Sequence, residues 1–300
     1  MLQCRPNAQL GSRSCSRAVS VPPPQLQLAQ RARSRRQPRH TAQAVAVPDG
    51  LQALVESAGA AHPGLATGAA VTGLVMTAGV RVLQKGLTPS GIVNAFALGT
   101  LLYGAFGAGG FSLLCLYFIF GTAVTKVKLQ QKQKEGIAEA NSGRRGPNSV
   151  WGSGAAGAFC AAAALATGEF DLWQIGFVAS FTSKLSDTVS SEIGKAYGKT
   201  TYLITNLKLV PRGTEGAVSL EGTMAGLGAA AAYAAVATAI GQTTPSDAVL
   251  VTAAAFLANV FESYLGAVIQ GKVEWLNNDL VNVIQISIAA ALAVLAKYYL

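Results

Sequence analysis

The sequence predicts an all-α fold, a polytopic transmembrane helix bundle of about seven to eight spans, with six as the lower bound. Three observations predict it. Downstream of residue 48 the chain is a series of apolar runs close to the twenty residues that a spanning helix needs. Gly and Ala are abundant in those runs, which suits helices packed backbone to backbone in lipid. The charges fall between the runs and alternate from one connection to the next.

The runs lie at 65–82, 91–106, 109–125, 151–167, 171–186, 222–240, 247–269 and 279–297. The pair 91–106 and 109–125 is divided by Gly107–Gly110, and reads either as two spans or as one long kinked span. The pair 151–167 and 171–186 is divided by Gly168–Asp171. Arg81 and Lys85 follow the first run, and Lys126, Lys128, Lys132, Lys134, Arg144 and Arg145 follow the third. Lys195, Lys199, Lys208 and Arg212 follow the fifth, and Lys272 the seventh. The connections after even-numbered runs hold no Lys or Arg and carry Glu169, Asp171 and Asp247. That parity is what the positive-inside rule requires, and it places the basic loops in a stroma or matrix.

Residues 1–48 differ from the rest. They hold eight arginines, no lysine and no acid, the first acid being Asp49. Subtracting those eight from the 23 basic residues leaves 15 against 14 acids, so the net charge falls from +9 to +1. The basic balance belongs to the N-terminal segment, and a nucleic-acid partner loses its main support. An acid-free segment rich in Arg, Ser, Gln, Pro and Ala, with no secretory apolar core, reads as a mitochondrial or chloroplast transit peptide over 1–46. A short mature segment, 47–64, and a membrane-embedded domain, 65–300, complete the expected organisation. Four cysteines show no metal spacing and no disulfide framework.

Two connections are long, 126–150 and 187–221, and both fall on the basic face. Long connections in a compact protein are commonly functional, so the site is expected there. At 100° per residue, Lys184, Asp187, Thr188, Ser191 and Lys195 share one helix face, with Glu192 on its flank. Two cations, carboxylates and hydroxyls at a membrane boundary suit metal and phosphate. The alternative is a helix end that has left the bilayer.

Residues 194–200 read G-K-A-Y-G-K-T but do not form a phosphate-cradling P-loop. Three residues instead of four precede the Gly-Lys-Thr, and Ile193 stands where the first Gly belongs. In Pro211-Arg212-Gly213-Thr214-Glu215-Gly216, followed by Ser219 and Glu221, Arg212 offers a planar fork and the glycines permit close backbone approach. The same residues equally suit a turn and an N-cap. Gly143-Arg144-Arg145-Gly146 suits a diphosphate, or an ordinary positive-inside signal. Glu262 lies in an apolar run near Asn259 and Ser263, a functional candidate by its depth or else a helix–helix hydrogen bond. The one histidine beyond the tail, His62, precedes the first run, so histidine catalysis is not expected.

Two strings are specific enough to compare: Ser186-Asp187-Thr188…Ser191-Glu192-Ile193-Gly194, and Pro211-Arg212-Gly213-Thr214-Glu215-Gly216…Ser219-Leu220-Glu221-Gly222. Together with Glu135-Gly136-Ile137-Ala138-Glu139, Gly143-Arg144-Arg145-Gly146, Glu262-Ser263…Gly266 and Asn282, they resemble the integral membrane family catalogued as domain of unknown function 92. The resemblance covers roughly 65–300. Within that family the chain looks most like the chloroplast phytyl-phosphate kinases of plants and algae, which makes the plastid the expected organelle, in its inner envelope or thylakoid membrane. The resemblance implies phosphoryl transfer from a nucleoside triphosphate, CTP foremost, to phytyl monophosphate. The product, phytyl diphosphate, feeds tocopherol and phylloquinone synthesis.

On that expectation Asp187 and Glu192, with Glu215 or Glu221, hold Mg²⁺. Lys184 and Arg212 act on the transferring phosphoryl group. Arg144, Arg145, Ser191, Lys195, Gly213, Thr214 and Ser219 bind phosphate. The expected partners are a prenyl-phosphate lipid, a nucleotide and the membrane. A transporter of a lipid phosphate or other anion is the alternative, since embedded charge and a broken central segment also suit a substrate path. No inverted repeat supports it, and a purely structural scaffold would not explain paired acids and cations.

Overall fold

Several helix starts are written locally. Thr88, Thr244 and Asn277 each accept a hydrogen bond from the backbone N–H three residues on, at 3.1, 3.2 and 2.9 Å. Pro89, Pro147 and Pro245 open their helices, where a missing N–H costs nothing. The structure is a computed structural model that describes residues 49–269, 273 and 276–300. The expected transit peptide, 1–46, and Lys272 lie outside the described residues.

In chain order the helices are α1 (Asp49–Ala58), α2 (Leu65–Ala78), α3 (Val80–Gly86), α4 (Pro89–Thr125) and α5 (Leu129–Lys134). There follow α6 (Pro147–Thr167), α7 (Phe170–Tyr197), α8 (Leu220–Ala239), α9 (Pro245–Val268) and α10 (Asn278–Tyr299). Between α7 and α8, β1 (Tyr202–Leu203) and β2 (Ala217–Val218) form a two-stranded antiparallel ladder, Tyr202 facing Val218 and Leu203 facing Ala217.

Five described helices are long and apolar enough to cross a membrane: α4, α6, α8, α9 and α10. A sixth span results if α2 and α3, bent by 83°, count as one. That is slightly below the seven to eight expected, and two differences have physical causes.

The first is α4. Gly107 within it has φ 61° and ψ −159°, outside helical geometry and accessible to glycine. Its two arms fold back on each other. A Cβ on Gly91, near the start, would lie 2.4 Å from the Arg145 carbonyl oxygen. A Cβ on Gly121, near the end, would lie 2.7 Å from the Arg145 guanidinium. Thirty residues of straight helix would hold those positions about 45 Å apart. The expected break near 107–110 is therefore a reversal, and the single helix comprises two antiparallel arms.

The second is α7, expected as a span over 171–186. It runs on to Tyr197, so the expected 187–221 loop begins as helix. It is also less apolar than the spanning helices, because its inward faces carry Ser180, Thr182, Ser183, Lys184 and Ser186, all buried. It tolerates them because it touches protein on most sides. It packs against α4, α6, α8, α9 and α10, with Phe177, Val178, Ala179 and Phe181 fully buried at the centre. Its hydroxyls bond locally, Thr182 Oγ1 to the Val178 carbonyl at 2.7 Å and Ser180 Oγ to that of Phe177 at 2.7 Å. Others bridge to α8: Ser186 Oγ donates to the Gly226 carbonyl at 3.0 Å and Ser190 Oγ to that of Gly222 at 2.9 Å.

Candidate functional site

The C-terminal half of α7 meets the end of α4, the start of α6, the start of α8, the end of α9 and the start of α10. All of these lie at the end of the bundle that carries the basic connections. They enclose a cavity of about 900 Å³. Its wall includes Lys184, Asp187, Ser191, Glu192 and Lys195 of α7, and Arg144 and Arg145 before α6. Gly213, Thr214, Glu215 and Ser219 come from the β1–β2 connection and the α8 start, and Glu262 comes from α9.

The connection is placed over the cavity by short-range bonds. Leu203 N donates to the Lys208 carbonyl at 2.9 Å and Ile204 N to that of Gly216 at 3.1 Å. Gly216 has φ +71°, and a Cβ there would lie 2.5 Å from the Ser263 carbonyl oxygen, so only glycine lets this loop close on α9. Ser219 is the N-cap of α8, its hydroxyl accepting from Gly222 N at 3.1 Å. Its oxygen already serves the helix, although it faces the cavity.

At the centre, Lys184 Nζ donates to Asp187 Oδ2 at 2.5 Å and to Asn282 Oδ1 of α10 at 2.9 Å. The two side chains are 8% and 13% exposed, which leaves both at the cavity surface. Lys195 Nζ stands 3.2 Å from Glu139 Oε1 and 3.6 Å from Glu192 Oε1. Burial pushes the Glu139 carboxyl up, but Lys195, helped by Lys184 and Arg145, outweighs it and holds that group below its ordinary value. Ser191 Oγ donates to the Thr188 carbonyl at 3.2 Å. Glu262 shares the wall with Asn259, Ser263 and Asn282, and its Oε2 accepts from Ser263 Oγ at 3.4 Å.

Two expected residues stand away from the cavity. Arg212 donates to both oxygens of Glu135 at 3.0 Å and to the Lys195 carbonyl at 3.3 Å, so it fastens the connection to the segment after α5. Glu221 accepts from Lys199 N at 3.4 Å. Of the carboxylates expected to hold a metal, Asp187, Glu192 and Glu215 line the cavity and Glu221 does not. Among the described residues no three His, Cys, Asp or Glu side chains converge on a metal position. Glu192 is instead sealed in an ion pair with Lys132, each 1% exposed. A Mg²⁺ ion needs less than a cage, since it binds through one or two carboxylates and completes its shell with phosphate and water. Asp187 and Glu262, with amide oxygens from Asn259 and Asn282, are hard oxygen donors of that kind on one wall.

Several wall residues were not singled out in the sequence. Tyr117, Ser149 and Ser153 lie there, with Tyr117 donating to Ser153 Oγ at 2.8 Å. Inside apolar or small-residue runs they carry no local signal. Lys132 reads in sequence as one of a row of positive-inside lysines, and only its burial sets it apart.

Fold and site together define a polytopic helical membrane protein with a charged chamber of about 900 Å³ at one end of its bundle. The family model for the integral membrane protein DUF92 matches residues 71–290, and the chain belongs to that family. It is 52% identical over 233 residues to "Protein VTE6, chloroplastic" of Arabidopsis thaliana, covering 76% of this chain and 70% of that one. It is 47% identical to an uncharacterized membrane protein of Synechocystis sp., covering 70% and 83%. A membrane protein of Methanocaldococcus jannaschii is 30% identical, covering 70% and 85%. No solved structure matches the chain.

Proposed function

We propose that this protein is a phytyl-phosphate kinase of a chloroplast membrane. It transfers the terminal phosphoryl group of a nucleoside triphosphate, CTP by preference, to phytyl monophosphate. The observation that carries the reading is the cavity wall, where Arg145, Lys184 and Lys195 face Asp187 and Glu262 at one end of an apolar bundle. A prenyl phosphate has a dianionic head and an apolar tail, and a site at the membrane boundary serves both. Membership of the family, the 52% identity to a chloroplastic protein and the motif resemblance support the same reading.

In this reaction an oxygen of phytyl phosphate attacks the γ-phosphorus. The bond from that phosphorus to the β–γ bridging oxygen breaks, and the nucleoside diphosphate leaves with the electron pair. The acceptor is already a dianion, so no dedicated base is required. Catalysis reduces to positioning and charge stabilisation. Lys184, held by Asp187 and Asn282, presents a fixed cation to the transferring group, and Lys195 and Arg145 hold phosphates on either side. Asp187 and Glu262 would hold a Mg²⁺ ion, which would supply charge neutralisation to the nucleotide's phosphates. The basic loops face the stroma, in the inner envelope or the thylakoid.

The test is to express the full chain in membranes that lack this activity and supply phytyl phosphate, Mg²⁺ and each nucleoside triphosphate in turn. Phytyl diphosphate is then sought by mass spectrometry. Its formation with one preferred donor supports the reading and identifies that donor. Its absence with every donor, in correctly inserted protein, overturns the reading.

A further inference from the structure

A second cavity, of about 280 Å³, adjoins the first. It lies among α2, α3, both arms of α4 and α6, and its wall is apolar, with Met76, Leu83, Leu98, Leu114, Cys115 and Phe118 among its residues. Val75, Val82 and Ile119 also line it and are 42%, 56% and 54% exposed. They mark a mouth on the side of the bundle, where apolar surface meets lipid tails. The 83° bend between α2 and α3 frames that mouth.

The two cavities share four residues: Tyr117, Arg145, Ser149 and Ser153. Arg145 is fixed there by its backbone. Its N–H donates to the Gly86 carbonyl at 2.8 Å, and its carbonyl accepts from Thr88 N at 3.0 Å. Its Nη1 donates to Tyr117 Oη at 2.8 Å, and the guanidinium lies 4.9 Å from the centre of that ring. Among the described residues Arg145 has no carboxylate within ion-pair distance. A positioned cation with no described carboxylate in contact, at the seam between a polar and an apolar chamber, matches a molecule with an anionic head and an apolar chain. An apolar chamber that opens sideways suits a substrate that arrives from the bilayer.

We propose that the apolar cavity binds the head-proximal part of the acceptor's isoprenoid chain, with Arg145 fixing its phosphate at the seam, and that the lipid enters laterally past Val75, Val82 and Ile119. This assignment rests on the prenyl-phosphate reading above and adds the location and route of the tail.

The test uses full-length protein in membranes and a phytyl phosphate analogue with a photoreactive diazirine in its chain. Labelling is expected on Leu114, Cys115 and Phe118 and on facing residues of α2 and α3. Unlabelled phytyl phosphate should suppress it and phosphatidylcholine should not. Arg145→Gln should reduce labelling at least fivefold. A kinetic arm compares phytyl phosphate with methyl phosphate, which carries no isoprenoid chain. Cys115→Trp, which fills the cavity, should lower the ratio of their kcat/KM values at least tenfold.

Labelling spread over all lipid-facing helices, or suppressed equally by phosphatidylcholine, overturns the assignment and leaves an ordinary lipid contact. So does an unchanged kinetic ratio in folded Cys115→Trp. Labelling needs no turnover, so the two readings fail separately. A wild-type protein that forms phytyl diphosphate but labels elsewhere refutes only the tail site. A protein that forms none with any donor refutes the kinase reading.

Discussion

Two lysine–carboxylate pairs, whose carboxylates Asp187 and Glu192 lie five residues apart on α7, have opposite relations to the cavity. Lys184–Asp187 lies at its surface, with side chains 8% and 13% exposed and Asn282 as a third partner. In Lys132–Glu192, Glu192 reaches the wall but Lys132 lies behind it, each 1% exposed, with the Thr125 carbonyl accepting a second bond from Lys132 at 2.8 Å. The first pair can exchange one partner for a phosphate oxygen without leaving a charge in an apolar place. The second cannot, because removing Lys132 leaves Glu192, 1% exposed, with only Lys195 at 3.6 Å. The same residue chemistry therefore gives a site in one place and a clamp in the other. The clamp fastens α5 and the end of α4 to α7.

The largest expected effect is on turnover. Asp187→Asn should lower kcat by about 10³-fold, some 4 kcal/mol of transition-state stabilisation, while insertion and thermal midpoint stay near wild type. Formation of phytyl diphosphate and thermal unfolding in detergent measure the two sides. A large fall in midpoint would place Lys184–Asp187 with the clamp and break the contrast.

Next is Lys132→Met, which should cost up to about 3–5 kcal/mol of stability by leaving Glu192 buried with only the longer 3.6 Å contact to Lys195. Combining it with Glu192→Leu should restore most of that loss, since an apolar pair of similar volume replaces a buried ion pair at little cost. Denaturation of the single and double variants decides this. A double variant as unstable as the single one would give Glu192 a role beyond the pair.

Arg212→Ala should be milder still. Its bond to Glu135 is partly exposed on both sides, 31% and 33%, so the loss should be at most about 1 kcal/mol. A fall in kcat of a hundredfold or more, measured in the same product assay, would return Arg212 to the reaction.

The smallest effect is Glu139→Gln. The Glu139 carboxyl is held below its ordinary value, so its pairing with Lys195 stabilises the fold above the unfolded-state value. That contribution is lost as pH falls through the folded-state value. Glu139 is 43% exposed, which screens the pair and keeps the effect below about 1 kcal/mol. Stability profiles of wild type and variant should converge at acid pH and separate slightly above it. Separation in the opposite direction would mean that burial, not Lys195, dominates at this carboxyl.

Much of the bundle was legible in the sequence because lipid imposes a one-dimensional rule. A spanning helix must be apolar for a set length, and its flanking charges must alternate. The breaks at Gly107 and Gly168 and the face shared by Lys184, Asp187 and Ser191 follow from residue spacing alone. The extension of α7 to Tyr197 did not, because a polar helix end looks like a loop when its neighbours are unknown. Nor was the pairing of Lys132 with Glu192 visible across sixty residues. Placing Arg212 and Glu221 in the cavity followed from adjacency to Gly213 and Ser219, yet each has a nearer partner.

By itself the sequence determined a helical membrane protein of the DUF92 family, the end of the bundle that carries charge, and the charged and hydroxyl residues that gather there. Only the tertiary structure decided which carboxylates face the chamber and which are sealed, and that an apolar cavity joins it at Arg145. The physical reason is that burial and counter-charge are properties of a place. The same lysine or glutamate is a ligand or a clamp according to what packs around it.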